Sequence, residues 1–255
     1  QVRCVKETVE AKAPAKGKQT GHRAALMGDS ITRTWKDRGR MAFFTENNYL
    51  NKGIDGTTSS NMINRFWSDI MADEPQLTVI CCGTNDLAEN DSNFSGETEN
   101  YRVHASIENI LANIALMSRI AEDSGMPVVL GSICPSRSMW WKPKSWRDKY
   151  DGDYIANKII EANKLIKAYA AERGYRYADY YSALKNDQNG LADEYCWVFG
   201  KNADGTLNLD SVHPNAKAFL VMEGILKPLI DAALYDPSEA NPGGGKIDDM
   251  NKWKW

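Results

Sequence analysis

A serine, an aspartate and a histidine stand in this chain where they could assemble one catalytic site. Ser30 lies in the sequence Gly28-Asp29-Ser30, directly after an apolar run at residues 24–27, and Asp210 and His213 lie near the other end. A serine hydroxyl is a poor nucleophile at neutral pH. It becomes reactive when a histidine accepts its proton and a carboxylate holds that histidine. These residues therefore predict a serine esterase with Ser30 as nucleophile, His213 as base and Asp210 as orienting acid.

Acyl transfer also needs hydrogen-bond donors that face the oxyanion of the tetrahedral intermediate. Ser30 is predicted to begin a helix, where its own backbone N–H has no partner within the helix. Gly56 lies in a turn after a second apolar segment, and glycine lets the backbone approach a ligand closely. Asn85 lies in Gly83-Thr84-Asn85-Asp86 and could add a side-chain amide. We predict an oxyanion hole formed by Ser30, Gly56 and Asn85.

Each of these motifs also has a purely structural interpretation. Gly-Asp-Ser and Gly-Thr-Asn-Asp are sequences that occur in turns and helix caps. Asp210 could cap the final helix, either instead of holding His213 or in addition to it. The prediction of an active site rests on the combination of the motifs, in this order and after predicted strands.

Short apolar runs alternate with helical patterns from residue 24 to about residue 234. We predict strands at 24–27, 49–52, 77–82, 127–133 and 175–178. We predict a helix after the first strand that runs through Trp35 and Phe44, and further helices at 59–71, 104–124, 154–173 and 214–234. Such alternation is typical of an α/β fold in which helices cover both faces of a parallel sheet. Ligand sites in these folds lie outside the carboxyl ends of the strands, where the motifs also lie.

The combined pattern resembles the SGNH hydrolases, also called the GDSL esterase family, over residues 24–234. Two blocks of that family, Gly-Asp-Ser and a glycine in Gly-x-x-Gly-x-Thr, correspond here to Ser30 and to Gly56 rather than Gly53. The other two, Gly-x-Asn-Asp and Asp-x-x-His, correspond to Asn85 and His213. The similarity is greatest to the bacterial platelet-activating-factor acetylhydrolase-like and lysophospholipase-like branch. It implies a flavodoxin-like three-layer α/β/α sandwich with a five-stranded parallel sheet, and neither a metal nor an organic cofactor.

The segment at residues 135–146 follows the fourth predicted strand and carries clustered tryptophans and basic residues. Trp140, Trp141 and Arg137 could form a platform and a polar rim for a sugar ring, or they could pack as a lid or fill a subunit interface. No segment resembles a long amphipathic lid. We therefore favour short acyl groups, acetyl above all, on a small-molecule or glycan carrier. A lysophospholipase or thioesterase acting on longer acyl chains is the alternative, followed by a non-catalytic carbohydrate-binding protein.

Composition restricts the other classes of function. The chain has 255 residues, of which 42% are hydrophobic and 25% charged, which suits one large domain with a substantial core. We expect a hydrolase domain at residues 22–235, an N-terminal arm at 1–21 and a C-terminal tail at 236–255. The net charge of −3 gives no reason to expect a nucleic-acid or membrane partner. The 3 histidines are too scattered for a metal site, and the G-x-S-x-G motif of the conventional α/β-hydrolases does not occur.

The spacing of the cysteines and the first residues of the sequence bear on disulfide bonding and on localisation. The 5 cysteines lack metal-binding spacing, so we expect buried free thiols, although one bridge involving Cys134 and Cys196 stays open. The chain begins at Gln1 without a hydrophobic leader. We expect a periplasmic or secreted bacterial enzyme whose signal peptide lies outside this sequence. The sequence does not define an oligomeric state.

Overall fold

The computed structural model describes residues 21–89 and 107–235. Its main strands are β1 (Ala24–Gly28), β2 (Tyr49–Gly53), β3 (Thr78–Ile80), β4 (Val128–Gly131) and β5 (Arg176–Ala178). They form a five-stranded sheet in the order β2-β1-β3-β4-β5, and every pairing is parallel. This strand order is that of the flavodoxin-like doubly wound folds. The predicted fold class is therefore confirmed.

Helices connect and cover these strands. They are α1 (Ser30–Arg38), α2 (Met41–Asn47), α3 (Ser59–Asp69), α4 (Thr84–Glu89), α5 (Ile107–Asp123), α6 (Lys144–Tyr150), α7 (Asp153–Arg173), α8 (Tyr180–Leu184) and α9 (Ala216–Tyr235), with short 3-10 helices at Met71–Asp73 and Asp193–Tyr195. A separate antiparallel hairpin of β6 (Cys196–Lys201) and β7 (Leu207–Pro214) precedes α9. None of the helices formed by residues 21–89 and 107–235 has the length and apolar character needed to span a bilayer.

The sheet separates two hydrophobic cores, because successive residues of a strand face opposite sides. In β1, Ala25 and Met27 belong to the core that also contains side chains of α3, α5 and α7. Ala24 and Leu26 belong to the other core, together with side chains of α1, α2 and α9. All five residues of β1 are buried, as expected for a strand covered on both faces. The molecule thus has the three predicted layers.

The helix predicted to run through Trp35 and Phe44 is in fact two helices, α1 and α2, separated at Gly39. A Cβ on Gly39 would lie 2.5 Å from the Trp35 carbonyl oxygen and 2.9 Å from Phe219 Cβ, so the chain turns here against α9. Trp35 is 2% exposed and packs in the core rather than lining a pocket. The last helix starts at Ala216 instead of Pro214, because Pro214 ends β7.

Four cysteines lie among the described residues, and all four are free thiols: Cys81, Cys82, Cys134 and Cys196. The bridge between Cys134 and Cys196 that the sequence left open is therefore not formed. Cys4 lies outside the described residues. So do nearly all of the predicted N-terminal arm and the whole predicted C-terminal tail with its tryptophans, Trp253 and Trp255.

Candidate active site

Ser30 follows a connection of a single residue between a strand of this sheet and a helix. β1 ends at Gly28 and α1 begins at Ser30. A Cβ on Gly28 would lie 1.9 Å from Thr32 Oγ1, so the chain can turn this sharply only with glycine at that position. Asp29 caps the helix, since its Oδ1 accepts a hydrogen bond from the Ile31 N–H at 2.9 Å. This tight turn places the Ser30 side chain at the carboxyl end of a central strand.

The Ser30 side chain meets His213 although 183 positions separate them in the chain. The distance from Ser30 Oγ to His213 Nε2 is 2.9 Å. On the other side of the ring, His213 Nδ1 lies 2.8 Å from Asp210 Oδ2. The three predicted residues therefore form one continuous hydrogen-bonded path from hydroxyl to imidazole to carboxylate. Both Asp210 and His213 belong to β7, which brings them to Ser30 from outside the main sheet.

Asp210 is fully buried, and its carboxylate accepts several hydrogen bonds. Its Oδ1 accepts from the backbone N–H of Val212 at 3.1 Å, from the backbone N–H of His213 at 3.0 Å and from Trp140 Nε1 at 2.9 Å. Burial by itself raises the pKa of Asp210, but the hydrogen bond and charge of His213, followed by the two backbone N–H groups, outweigh it and hold that pKa below its usual value. The carboxylate therefore stays ionised at neutral pH.

The alternative role of Asp210 as the cap of the last helix is wrong. Asp210 lies within β7, four residues before Pro214, the residue at which this strand ends. The cap of α9 is Asn215, whose Oδ1 accepts a hydrogen bond from the Ala218 N–H at 3.1 Å. The side chain of Asp210 is thus directed to His213 and not to the helix.

The turn that carries Gly56 and the first turn of α4, which carries Asn85, lie on either side of the Ser30 turn, because β1 lies between β2 and β3. The Ile54 N–H donates to the Gly28 carbonyl oxygen at 3.2 Å, which ties the second turn to the first. Asn85 Nδ2 donates to the Thr57 carbonyl oxygen at 3.1 Å and so ties the third turn to the second. Gly56 itself is exposed and has a φ of +69°, in the left-handed region. The three predicted oxyanion donors therefore come from adjoining turns at one edge of the sheet.

A second buried carboxylate adjoins the candidate nucleophile. Asp29 is 4% exposed, and burial raises its pKa to about 6. The Ile31 N–H and the nearby His213 favour the ionised form, but they only partly offset burial, and Asp86 raises the pKa further. This carboxyl is therefore protonated more readily than an ordinary aspartate, with its pKa raised to about 6.

Trp140 and Trp141 form an exposed aromatic surface beside His213. Their side chains are 40% and 37% exposed, and the two rings meet edge to face with centroids 5.7 Å apart. The Trp140 ring also meets Phe199 of β6 at 5.2 Å and the His213 ring at 6.3 Å. The structure thus places Trp140 next to the hydrogen-bonded path and Trp141 against Trp140.

Arg137 is placed differently from the two tryptophans. Its Nη1 donates to the Gln188 carbonyl oxygen at 2.7 Å and pairs with Asp153 at 2.7 Å. These partners lie on the protein, so the guanidinium fastens the segment after β4 to neighbouring chain. The side chain is about one-third exposed.

The sequence interpretation missed two neighbours of this site. One is the β6–β7 hairpin with Phe199, although the Asn-Ala-Asp-Gly sequence at 202–205 is a recognisable turn signal. The other is Arg38, in the last turn of α1, whose Nη1 lies 3.6 Å from Asp210 Oδ2. No local pattern marks Arg38, because its partner is remote in sequence.

Comparison with known proteins identifies the family. The model of the GDSL-like lipase/acylhydrolase family matches residues 26–219. The chain belongs to this family. A GDSL-like lipase from Bacteroides thetaiotaomicron VPI-5482 shares 28% identity with a TM-score of 0.69, and the match covers 87% of this chain and 93% of that one. A protein from Bacteroides fragilis NCTC 9343 shares 29% identity with a TM-score of 0.68, covering 88% of this chain and 92% of that one.

A more distant structure is a catalytic mutant of an acetylxylan esterase from Geobacillus stearothermophilus. It shares 16% identity with a TM-score of 0.58, covering 85% of this chain and 96% of that one, and so supports the fold alone. A search of curated proteins gave no match. Family membership confirms the predicted SGNH resemblance, and it makes the chain a serine ester hydrolase.

Within residues 21–89 and 107–235, no group of three or more His, Cys, Asp or Glu side chains is arranged to hold a metal ion.

Proposed function

We propose that the chain hydrolyses short-chain carboxylic esters, acetyl esters above all, through a covalent acyl-enzyme. Ser30 is the nucleophile, His213 the general base and Asp210 the orienting acid. The observation that carries this proposal is the unbroken hydrogen-bonded path, with 2.9 Å from Ser30 Oγ to His213 Nε2 and 2.8 Å from His213 Nδ1 to Asp210 Oδ2. A nucleophile, a base and an orienting group at hydrogen-bonding distance are what serine acyl transfer needs.

In the first half of the reaction, Ser30 Oγ attacks the ester carbonyl carbon while His213 Nε2 takes the hydroxyl proton. The tetrahedral intermediate then expels the alcohol, which receives that proton from His213. In the second half, His213 takes a proton from water, and the resulting hydroxide attacks the acyl-serine. Collapse of the second intermediate releases the carboxylic acid and returns the proton to Ser30. The ionised Asp210 stabilises the imidazolium that forms in each half.

The negative oxygen of each intermediate is held by the backbone N–H groups of Ser30 and Gly56 and by the Asn85 side-chain amide. The location of the three turns at adjoining strand ends supports this assignment. The bond from Asn85 Nδ2 to Thr57 keeps the amide beside the Gly56 turn before substrate arrives. Donors fixed in advance stabilise a developing charge more than mobile donors do.

We propose a carbohydrate as the carrier of the ester, with Trp140 and Trp141 as the surface on which a sugar ring lies. Both rings are partly exposed, Trp140 adjoins His213 and Trp141 adjoins Trp140, which supports contact with the alcohol side of the substrate. Arg137 would act at the rim, by holding this segment to the protein and offering its exposed portion to hydroxyl groups. The acetylxylan esterase that shares the fold acts on an acetylated glycan by its name.

The test is acetate release from a panel of acetylated oligosaccharides, with Ser30→Ala as the inactive control. A second series, p-nitrophenyl esters from acetyl to octanoyl, separates the proposal from its alternative, a lysophospholipase or thioesterase that prefers longer chains. We expect kcat/KM to fall as the acyl chain lengthens. A kcat/KM that rises with acyl chain length would contradict the acetyl preference and favour the lysophospholipase or thioesterase.

A further inference from the structure

Besides His213, which lies on the same strand, Asp210 contacts two side chains from other parts of the chain. Trp140 Nε1 donates a hydrogen bond to Asp210 Oδ1 at 2.9 Å, across 70 positions of the chain. Arg38 Nη1 lies 3.6 Å from Asp210 Oδ2, the same oxygen that faces the His213 ring. The two oxygens of this carboxylate are therefore contacted from α1 on one side and from the segment after β4 on the other.

The Trp140 indole is fixed by the protein itself. The residue before it, Met139, donates its backbone N–H to Asp151 Oδ1 at 2.9 Å. Ser138 Oγ donates to the other oxygen of Asp151 at 2.8 Å. Arg137 adds its bond to the Gln188 carbonyl oxygen. Three consecutive residues are thus anchored, so the indole N–H points to Asp210 without help from a substrate.

Arg38 is also held in place without a substrate. Its guanidinium carbon lies 4.6 Å from the centre of the Trp197 ring, a cation–π arrangement with a residue of β6. The side chain is 22% exposed. Its buried Nη1 makes no hydrogen bond within the described part of the chain, and Asp210 is the carboxylate beside it. The positive charge is therefore directed at the acid of the triad.

We propose that Trp140 and Arg38 are positioning residues that fix the Asp210 carboxylate for its bond to His213. A planar carboxylate can rotate about its Cβ–Cγ bond, and a donor on Oδ1 opposes that rotation, keeping Oδ2 in line with His213 Nδ1. The nearby guanidinium favours the ionised carboxylate in a buried site. This inference rests on the proposed function, because it assigns Asp210 its role in catalysis. It gives Trp140 a second role, through its N–H, apart from any contact of its ring with a sugar.

The substitution Trp140→Phe tests the indole, because it keeps an aromatic ring and removes the N–H. We expect kcat on p-nitrophenyl acetate to fall about tenfold, since a hydrogen bond to a charged group is lost while two backbone donors stay. KM for this small ester should change little, because the ring surface remains. Labelling by a fluorophosphonate should slow in proportion to kcat.

Trp146→Phe is the matched control. Trp146 lies on α6, at the end of the segment at residues 135–146 that also contains Trp140, and its buried Nε1 has no hydrogen-bond partner among the described residues. The same truncation there should leave kcat within about twofold. If both variants lower kcat equally, or if Trp140→Phe raises only KM, the N–H does not position Asp210 and the inference is overturned.

A double-mutant comparison isolates the contact with Asp210. In an Asp210→Ala background, Trp140→Phe should have almost no further effect on the residual rate, because the acceptor is gone. An undiminished tenfold loss in that background would contradict the inference.

For Arg38, we expect Arg38→Met to lower kcat, whereas Arg38→Lys should keep most of the wild-type kcat because it keeps the positive charge. Equal losses in the two variants would show that the charge of Arg38 does not position Asp210. A wild-type protein without esterase activity would instead refute the proposed function, and active wild type with unimpaired Trp140→Phe would refute the positioning role alone.

Discussion

The buried Asp29 carboxyl gives a prediction about stability that can be worked out in advance. Asp29 caps α1 through its bond from the Ile31 N–H, and burial raises its pKa to about 6. The substitution Asp29→Asn keeps an oxygen that can accept the same hydrogen bond, since asparagine is an equally good helix cap. It removes only the negative charge that the wild-type protein must bury at high pH.

The sign and size follow from proton linkage. The pKa is about 6 in the folded protein against 3.8 as its ordinary value, so the folded state binds the proton more tightly than the unfolded state. The wild type therefore loses stability as the pH rises from about 4 to about 6, and the loss is complete above that range. A difference of about 2 pKa units corresponds to about 3 kcal/mol. Asp29→Asn should thus be about 3 kcal/mol more stable than the wild type at pH 8 and nearly equal to it at pH 4.

Urea unfolding at pH 4, 6 and 8, followed by circular dichroism, measures this difference. Asp37→Asn is the control, because Asp37 lies on the same helix with its side chain 48% exposed. Its variant should show little change in stability at any of these pH values. An Asp29→Asn protein that is less stable than the wild type at pH 8, or a gain that does not vary with pH, would refute the reasoning.

Two further predictions concern the turns around Ser30. Asn85→Ala should lower kcat by about a hundred- to a thousandfold, as expected for loss of an oxyanion donor. Its thermal unfolding should change little, because the bond it loses is the one to the Thr57 carbonyl oxygen. Equal losses of activity and of folded protein would contradict the oxyanion role. Gly53→Ala should destabilise the fold by about 3 kcal/mol, because the new Cβ would lie 2.2 Å from Arg33 N and press on α1. Gly224→Ala in α9 is its control, since nothing lies within 4 Å of that Cβ. Calorimetry that finds the two glycine variants equally stable would show that α1 tolerates the displacement.

The sheet could be predicted from the sequence because its strands have a simple physical signature. A parallel strand buried on both faces reads as an unbroken apolar run, and the segments at 24–27 and 77–82 are of this kind. The residues of the proposed triad could be selected because their motifs follow strand ends and match a known family. The same reasoning selects Gly56 and Asn85 as proposed oxyanion donors.

The remaining parts of the site depend on contacts between segments far apart in the chain. Trp140 could be recognised as a candidate sugar platform, but its bond to Asp210 spans 70 positions and leaves no local pattern. The β6–β7 hairpin escaped prediction because most of β6 is exposed and its pairing is irregular near Gly200, so that only the turn sequence Asn-Ala-Asp-Gly marks it clearly. The interpretation of Asp210 as a helix cap could be rejected only once the structure placed Asn215 at the start of α9.

Mass spectrometry after reaction with a fluorophosphonate tests the central claim most directly. If His213 activates the Ser30 hydroxyl, the folded protein will carry one phosphonyl group, peptide mapping will place it on Ser30, and His213→Ala will lose the rapid labelling while keeping its circular dichroism spectrum. A folded protein that stays unlabelled, or one that is labelled at a residue other than Ser30, would contradict the account.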